Sequence, residues 1–384
     1  MLWLAGIDLR VTILAVPPVL PLIHRSLTLN ESAVGALTGL PLLLLGAAAV
    51  GGSLLIARIG ARRAWIAGLL LVAAGSAARG AGPSEAMLFA MTFVMGLGVA
   101  VCQPSAPTIV GEWFPRSIGF ATAVYVNGLL VGETLSAALT IPYVLPLLRD
   151  NWELSLVFWS LPAWLAVALF ALIGHRERPP ANGAVRWMPD WRDGVMWRLG
   201  IIFAGASISY WSANAFIPDY LRETGHAGLI EPSLSVLNAA QLPGSFLTLF
   251  VAERLAGRRD VFVTLGVVGL ASMLAFLAVP GRLGVVATGF LGFATSFTLV
   301  MVLALPPMVT EHHNVHRLSA GILTLSYCGT FLGNLAGGAL WDATHFALAA
   351  FVPAVSGLVA LTLLSAGMRL KPRLQGAAAH GGTK

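Results

Sequence analysis

Apolar residues come in runs of about 18 or more, each long enough as a helix to cross the ~30 Å hydrocarbon core of a bilayer. Twelve such runs can be counted between residues 2 and 368. One interruption alone is long and polar, 175–196, which holds Arg176, Arg178, Arg186, Arg192 and the pair Pro179-Pro180. It divides the runs six and six. The pattern predicts an all-α membrane protein with twelve transmembrane helices in two pseudo-symmetric six-helix bundles. The expected domains are an N-terminal bundle over 1–174, a cytoplasmic linker loop over 175–196, a C-terminal bundle over 197–369 and a cytoplasmic tail over 370–384.

The first run carries two charges, Asp8 and Arg10. At ~1.5 Å per helical residue, Arg10 lies roughly 14 Å into the span, close to its middle. A charge there costs roughly 2.5 to 3.5 kcal/mol even on lenient insertion scales, so it marks a functional position by default. The guanidinium is a planar fork of donors that matches a carboxylate or small oxyanion, which makes Arg10 the first candidate for an anion contact. The competing reading is a structural ion pair inside a bundle.

Asp8, two residues away, faces a different side of the helix and is no partner of Arg10 on it. Glu133 is the acid of the fifth run. Burial raises a carboxyl pKa and a nearby arginine lowers it, so Glu133 could exchange a proton as solute comes and goes, or serve as a fixed partner of Arg10. Asp8 and Glu133 are the candidate proton-coupling residues. Gln103, Tyr125, Asn127, Tyr210, Trp211, Asn214, Gln241 and Tyr327 are candidate substrate contacts. Each, like Asn238 and Asn334, has interhelical hydrogen bonding as its alternative role.

Composition agrees with the membrane reading: 57% of residues are hydrophobic and 10% charged, against ~25% charged in a soluble domain. The net charge of +6 is spread as single arginines between apolar runs, so it reports topology and not nucleic-acid binding. Seventeen of the 23 lysines and arginines fall on one side of the predicted spans, five on the other, among them Arg79, and Arg10 lies within the membrane. Both termini and the linker are therefore expected in the cytoplasm. The N-terminus has no basic leader or small-residue cleavage site and reads as a retained first helix.

Cys102 and Cys328 lie in apolar runs and form no disulfide framework. His312, His313 and His316 have a spacing that suits a metal on a helix, but with no further ligand pattern a solvated loop is the default, and no metal site is expected. The phosphate-cradling G-x-x-x-x-G-K-[ST] is missing, as is any hydrolytic constellation, so neither an ATP-driven pump nor an enzyme is expected, and no cofactor. The expected partners are a small-molecule substrate, the lipid bilayer and, as candidate coupling ions, protons. The chain is expected to be a monomer.

An internal repeat supports the division. Gly119, Tyr125 and Leu139 recur as Gly321, Tyr327 and Leu340, and glycine-bearing runs ending in proline precede both sets. Two similar halves joined by a basic loop suit a transporter built of parallel repeats. Small-residue steps at Gly35/Gly39, Gly128/Gly132, Gly329/Gly333 and Gly333/Gly337 allow close helix approach, in static packing or in contacts that rock. Pro17-Pro18 and Pro306-Pro307 predict bent helices.

The plan resembles the major facilitator superfamily. The loop after the second run is similar to its signature G-x-x-x-D-R-x-G-R-R, with Ser53, Ala57, Arg58, Gly60, Arg62 and Arg63. The resemblance implies a gating-loop role for Arg58, Gly60, Arg62 and Arg63, although Ala57 stands where the signature has its acid. A looser echo runs through Glu253, Arg254, Gly257, Arg258 and Arg259.

Within the superfamily the chain is similar to the cyanate and nitroimidazole transporters (CynX/NimT type). The matching stretches are Leu9-Arg10 with the 17–21 run PPVLP, ALTGLP at 36–41, GLGVAVCQPSAPTIVGEWFP at 96–115, WELSLVFWSLPA at 152–163 and the region 210–220. That likeness implies movement of small, often anionic or weakly acidic solutes. The alternative is export of a neutral or heteroaromatic compound stacked on Trp211 and Tyr327. A membrane sensor is less favoured, because no sizeable soluble output domain is present.

Overall fold

A computed structural model describes residues 1–27, 31–82, 84–172, 186–279 and 281–368. Positions 175–185 of the expected linker and the expected tail lie outside the described residues. Regular structure among the described residues is helical throughout. Ten helices are long and apolar enough to cross a membrane, or eleven when the pair Gly39–Ala47 and Ala49–Ile59, bent by 51°, is taken as one span. The 18-residue helix Ala61–Ala78, whose first turn carries Arg62 and Arg63, is not among them, so ten or eleven of the twelve expected spans are found among the described residues.

The chain packs into two units. The first holds Met1–Ala106 and Val124–Met188; the second holds Pro107–Ala123 and the chain from Pro189 onward. The ends of helices Glu85–Trp113 and Ile118–Leu139, with the turn between them, thus belong by packing to the second unit.

In the first unit, helix Leu2–Leu14 lies directly on helix Ile118–Leu139. A Cβ on Gly6 would strike the Tyr125 carbonyl, one on Gly128 the Trp3 carbonyl and one on Gly132 the Ile7 carbonyl. Lipid tails supply no hydrophobic drive between helices, so this backbone proximity is what lets dispersion and weak C–H···O bonds hold the pair. The first helix then breaks at Ala15 and resumes as Val16–Leu27. Pro17 and Pro18 have no N–H for the carbonyls of Ile13 and Leu14, which accounts for the break. Around it Val11, Ala15, Val16 and Val19 pack with Leu145, Trp152, Leu156 and Trp159.

The second unit repeats the device. Gly329, Gly333 and Gly337 of helix Val315–Thr344 meet Ala204, Ile208 and Phe216 of helix Gly194–Glu223. Gly329 and Gly333 stand 201 residues after Gly128 and Gly132, so the repeat seen in the sequence is a repeat of helix packing. In both cases the small-residue step packs two helices of the same unit. The tyrosines of the repeat follow suit: Tyr125 makes an edge contact with Trp65 and Tyr327 with Phe203, each with ring centroids 6.0 Å apart. The aromatic cluster of Tyr220, Phe276 and Phe351 fills the second unit's core.

Candidate functional site

Helix Leu2–Leu14 brings the chemistry of the first unit together. Arg10 is 6% exposed and Asp8 fully buried. Neither carboxylate oxygen of Asp8 meets a hydrogen-bond partner among the described residues. Thr12, one turn on, donates its hydroxyl to the Asp8 carbonyl at 2.7 Å. Glu133, half-buried, follows Gly132, where a Cβ would strike the Ile7 carbonyl, three residues before Arg10 in the chain. Gln103, Tyr125 and Asn127 are buried in this unit as well. The Asn127 Oδ1 accepts from the Trp3 indole N–H at 2.9 Å, which ties the fifth run to the first.

One residue here differs from its sequence reading. Arg79, counted from the sequence among the five cations on the side opposite the termini, is fully buried. Its guanidinium donates to the Thr12 carbonyl at 2.6 Å and to the Ser76 hydroxyl at 3.0 Å. The tip of its helix is covered, since a Cβ on Gly80 would strike the Glu153 carbonyl.

In the second unit, Tyr210, Asn214 and Gln241 are joined through Asn238. Tyr210 donates its hydroxyl to the Asn238 Oδ1 at 2.6 Å, and the Asn238 amide donates to the Asn214 Oδ1 at 3.0 Å. The Gln241 amide reaches the same Asn238 oxygen at 3.4 Å, and the Asn214 amide turns back to the Tyr210 carbonyl at 2.9 Å. Trp211 stands edge-on to Tyr210 with centroids 5.5 Å apart. The hub, Asn238, is absent from the sequence-based set of substrate contacts; a single Asn in an apolar run has no signature of its own. Tyr327 lies apart from this network, against Phe203. Asn334 accepts from the Ser212 hydroxyl at 2.7 Å, an interhelical bond of the kind expected for such residues.

The loop similar to the superfamily signature is built around Gly60, with φ of 85° between helices Ala49–Ile59 and Ala61–Ala78. Only glycine enters that region without a steric penalty. Arg58 and Arg63 are exposed. Arg62 donates to the Phe170 and Ala171 carbonyls at 2.9 and 3.2 Å, a cation on the negative end of helix Leu161–Leu172. The echo in the second half has the same turn at Gly257, φ 83°. There Glu253 accepts from the Phe120 N–H at 2.9 Å, capping helix Ile118–Leu139 at its positive end. Arg258 pairs with Asp260 at 2.6 Å in the open.

Nearby contacts bind the 107–123 segment to the rest of the second unit. Glu112 meets His312 at 2.9 Å, and a Cβ on Gly111 would press on Pro307. His313 faces Glu311 at 3.4 Å. The histidines thus sit on a short 3₁₀ turn and at a helix start, His312 and His313 each turned to an acid.

Comparison with known proteins agrees with this architecture. The Major Facilitator Superfamily model matches residues 2–281. The cyanate transport protein CynX of Escherichia coli K12 is 28% identical over 326 residues, 83% of this chain and 82% of that protein. The 2-nitroimidazole transporter of the same organism is 27% identical over 336 residues, 83% of this chain and 81% of its own. Among solved structures, the superfamily transporter FucP in its outward conformation superimposes with a TM-score of 0.78 at 14% identity, covering 96% of this chain and 98% of that one, a likeness of fold. With the superfamily model matching well over half of its length, the chain belongs to the Major Facilitator Superfamily of integral membrane transporters, which move solutes and are not enzymes.

Proposed function

We propose that this transporter moves a small anion or weak organic acid, cyanate-like in size and charge, across the bacterial inner membrane by alternating access. The observation that carries the reading is Arg10: a guanidinium 6% exposed, within the span Leu2–Ile23. A cation held in low dielectric strengthens any interaction with an anionic solute. The curated relative that carries cyanate lends support. Gln103, Tyr125 and Asn127 of the first unit, and Tyr210, Trp211, Asn214, Gln241 and Tyr327 of the second, are the further candidate contacts. Gating falls to Arg58, Gly60, Arg62 and Arg63. The working species is a monomer.

A second reading is transport of a neutral heteroaromatic compound. The relative that carries 2-nitroimidazole favours it, together with the Tyr210–Trp211 pair, whose ring faces could stack a planar ligand. Counterflow in proteoliposomes with labelled cyanate, small carboxylates and 2-nitroimidazole, run with and without a pH gradient, separates the two. Exchange confined to the anions supports the first reading; exchange confined to the heterocycle replaces it.

Coupling is assigned to Glu133, with Asp8 as the second candidate. A carboxylate beside Arg10 can release its proton as an anion leaves and regain it as one binds. Glu133→Gln is expected to retain solute exchange at zero gradient and to lose acceleration by an inward proton gradient, measured by uptake of label at fixed internal pH. Undiminished gradient-driven uptake in the variant would remove Glu133 from the coupling role.

A further inference from the structure

We propose that Arg79 is a positioning residue for transport: its guanidinium braces the first helix at the Thr12 carbonyl, two residues beyond Arg10 and three before the break at Ala15, and so sets the depth and direction at which Arg10 is presented. The inference rests on the reading of Arg10 as the solute contact.

The geometry is specific. Arg79 closes helix Ala61–Ala78, is fully buried, and meets no carboxylate among the described residues. Its one backbone target on the first helix is the Thr12 carbonyl, 2.6 Å away. Thr12 directly precedes the two residues whose carbonyls Pro17 and Pro18 leave without a donor, so its own carbonyl stands at the lip of the break at Ala15. A charged donor makes a short, strong bond to a carbonyl, and placed on Thr12 it fixes the helix on the near side of the break, beside the two carbonyls that the prolines free. Thr12 also anchors the other direction, its hydroxyl held by the Asp8 carbonyl. Asp8, Arg10 and Thr12 thus lie within about one turn of the first helix, with the Arg79 bond at its far end and the candidate solute contact between.

The base of the brace is rigid. Ser76 orients the guanidinium from one turn below. Gly75 packs on the backbone of Met95, and Gly80 on that of Glu153. A buried arginine without an acid is costly to keep, and a bond that shapes the first helix gives that cost a purpose. One terminal nitrogen of the guanidinium donates to the carbonyl and to the serine at once.

The deciding measurement is hydrogen exchange of the full-length protein in detergent, which needs no solute. Arg79→Gln is expected to speed exchange of amides in 12–20 several-fold while the rest of the first unit keeps its protection; Arg79→Lys, which keeps one charged donor, restores most of it. Should Arg79→Gln fail to accumulate, Ser76→Ala, which removes only the orienting hydroxyl, should give a smaller rise in the same segment. Counterflow of labelled cyanate by Arg79→Gln is expected to show apparent affinity lowered roughly tenfold with the maximal rate less affected.

Unchanged exchange in 12–20, or an increase spread evenly over the unit, overturns the inference. The two proposals fail separately. If wild-type protein moves no anion but the local exchange response appears, the anion reading falls and the brace stands. If Arg10→Gln stops anion counterflow and Arg79→Gln leaves 12–20 protected, the brace falls and the anion reading stands.

Discussion

Arg10→Gln is expected to reduce counterflow of small anions such as cyanate by about ten- to a hundredfold while leaving the protein folded in the membrane. A hydrogen bond to a charged group contributes roughly 1.5–3 kcal/mol, and each 1.4 kcal/mol is a factor of ten. Glutamine keeps two donors and much of the volume but loses the charge, which isolates the electrostatic part. Arg10→Lys keeps the charge and loses the fork, so partial activity is expected for a monodentate anion and less for a carboxylate. The comparison across solutes is the informative one. Loss confined to anions identifies Arg10 as a contact; equal loss for anions and 2-nitroimidazole assigns it to structure. A normal protein yield with unaltered anion transport would end the anion reading.

The second large effect concerns stability. Gly132→Val is expected to lower the melting temperature of the detergent-solubilised protein by several degrees, and Gly128→Val likewise, because a Cβ at either site would strike the carbonyls of Ile7 or Trp3. Overpacking of this kind costs about 1–3 kcal/mol where only side chains must shift. Here the obstacle is backbone, so the two helices must separate along their length. Gly39 has open space within 4 Å of an added Cβ, and Gly39→Ala should be neutral or slightly stabilising, since alanine is favoured over glycine inside a helix by about 1 kcal/mol. Equal melting behaviour of all three variants would refute the packing argument. Gly333→Val tests the same contact in the second unit, against Ile208, where a flexible side chain can yield and a smaller loss is expected.

Much of the fold was legible because lipid imposes simple rules. Apolar runs and glycine steps are local patterns; most runs reappear as helices, and the steps at Gly128/Gly132 and Gly329/Gly333 as close crossings, while Gly39 faces open space. Pro17 and Pro18 announce the break at Ala15 through a missing N–H, which is a property of the residue alone. The site was less legible. Arg79 precedes Gly80 and Gly82 and counts by sequence with the cations of one membrane side; nothing local reveals that Thr12, 67 positions away, takes its guanidinium, or that Glu153 covers the adjacent Gly80. The acid Glu253 was visible as a motif residue, yet its partner is the Phe120 amide, 133 residues earlier. Asn238 is one polar residue among many in the spans, and only the approach of three candidates to its side chain distinguishes it.

The segment Pro107–Ala123 has a consequence for dissecting the molecule. It is encoded in the first half yet completed by the second, where it receives the Glu253 cap and packs on Ala252 and Pro307. A fragment starting at Pro189 would therefore lack a piece of its own interior, with the Glu253 carboxylate stripped of its amide and a glycine-sized notch left open beside Ala252. Cleaving the chain at the linker yields two polypeptides but not two self-sufficient folding units, and co-expression of both pieces should rescue the C-terminal one where expression alone does not.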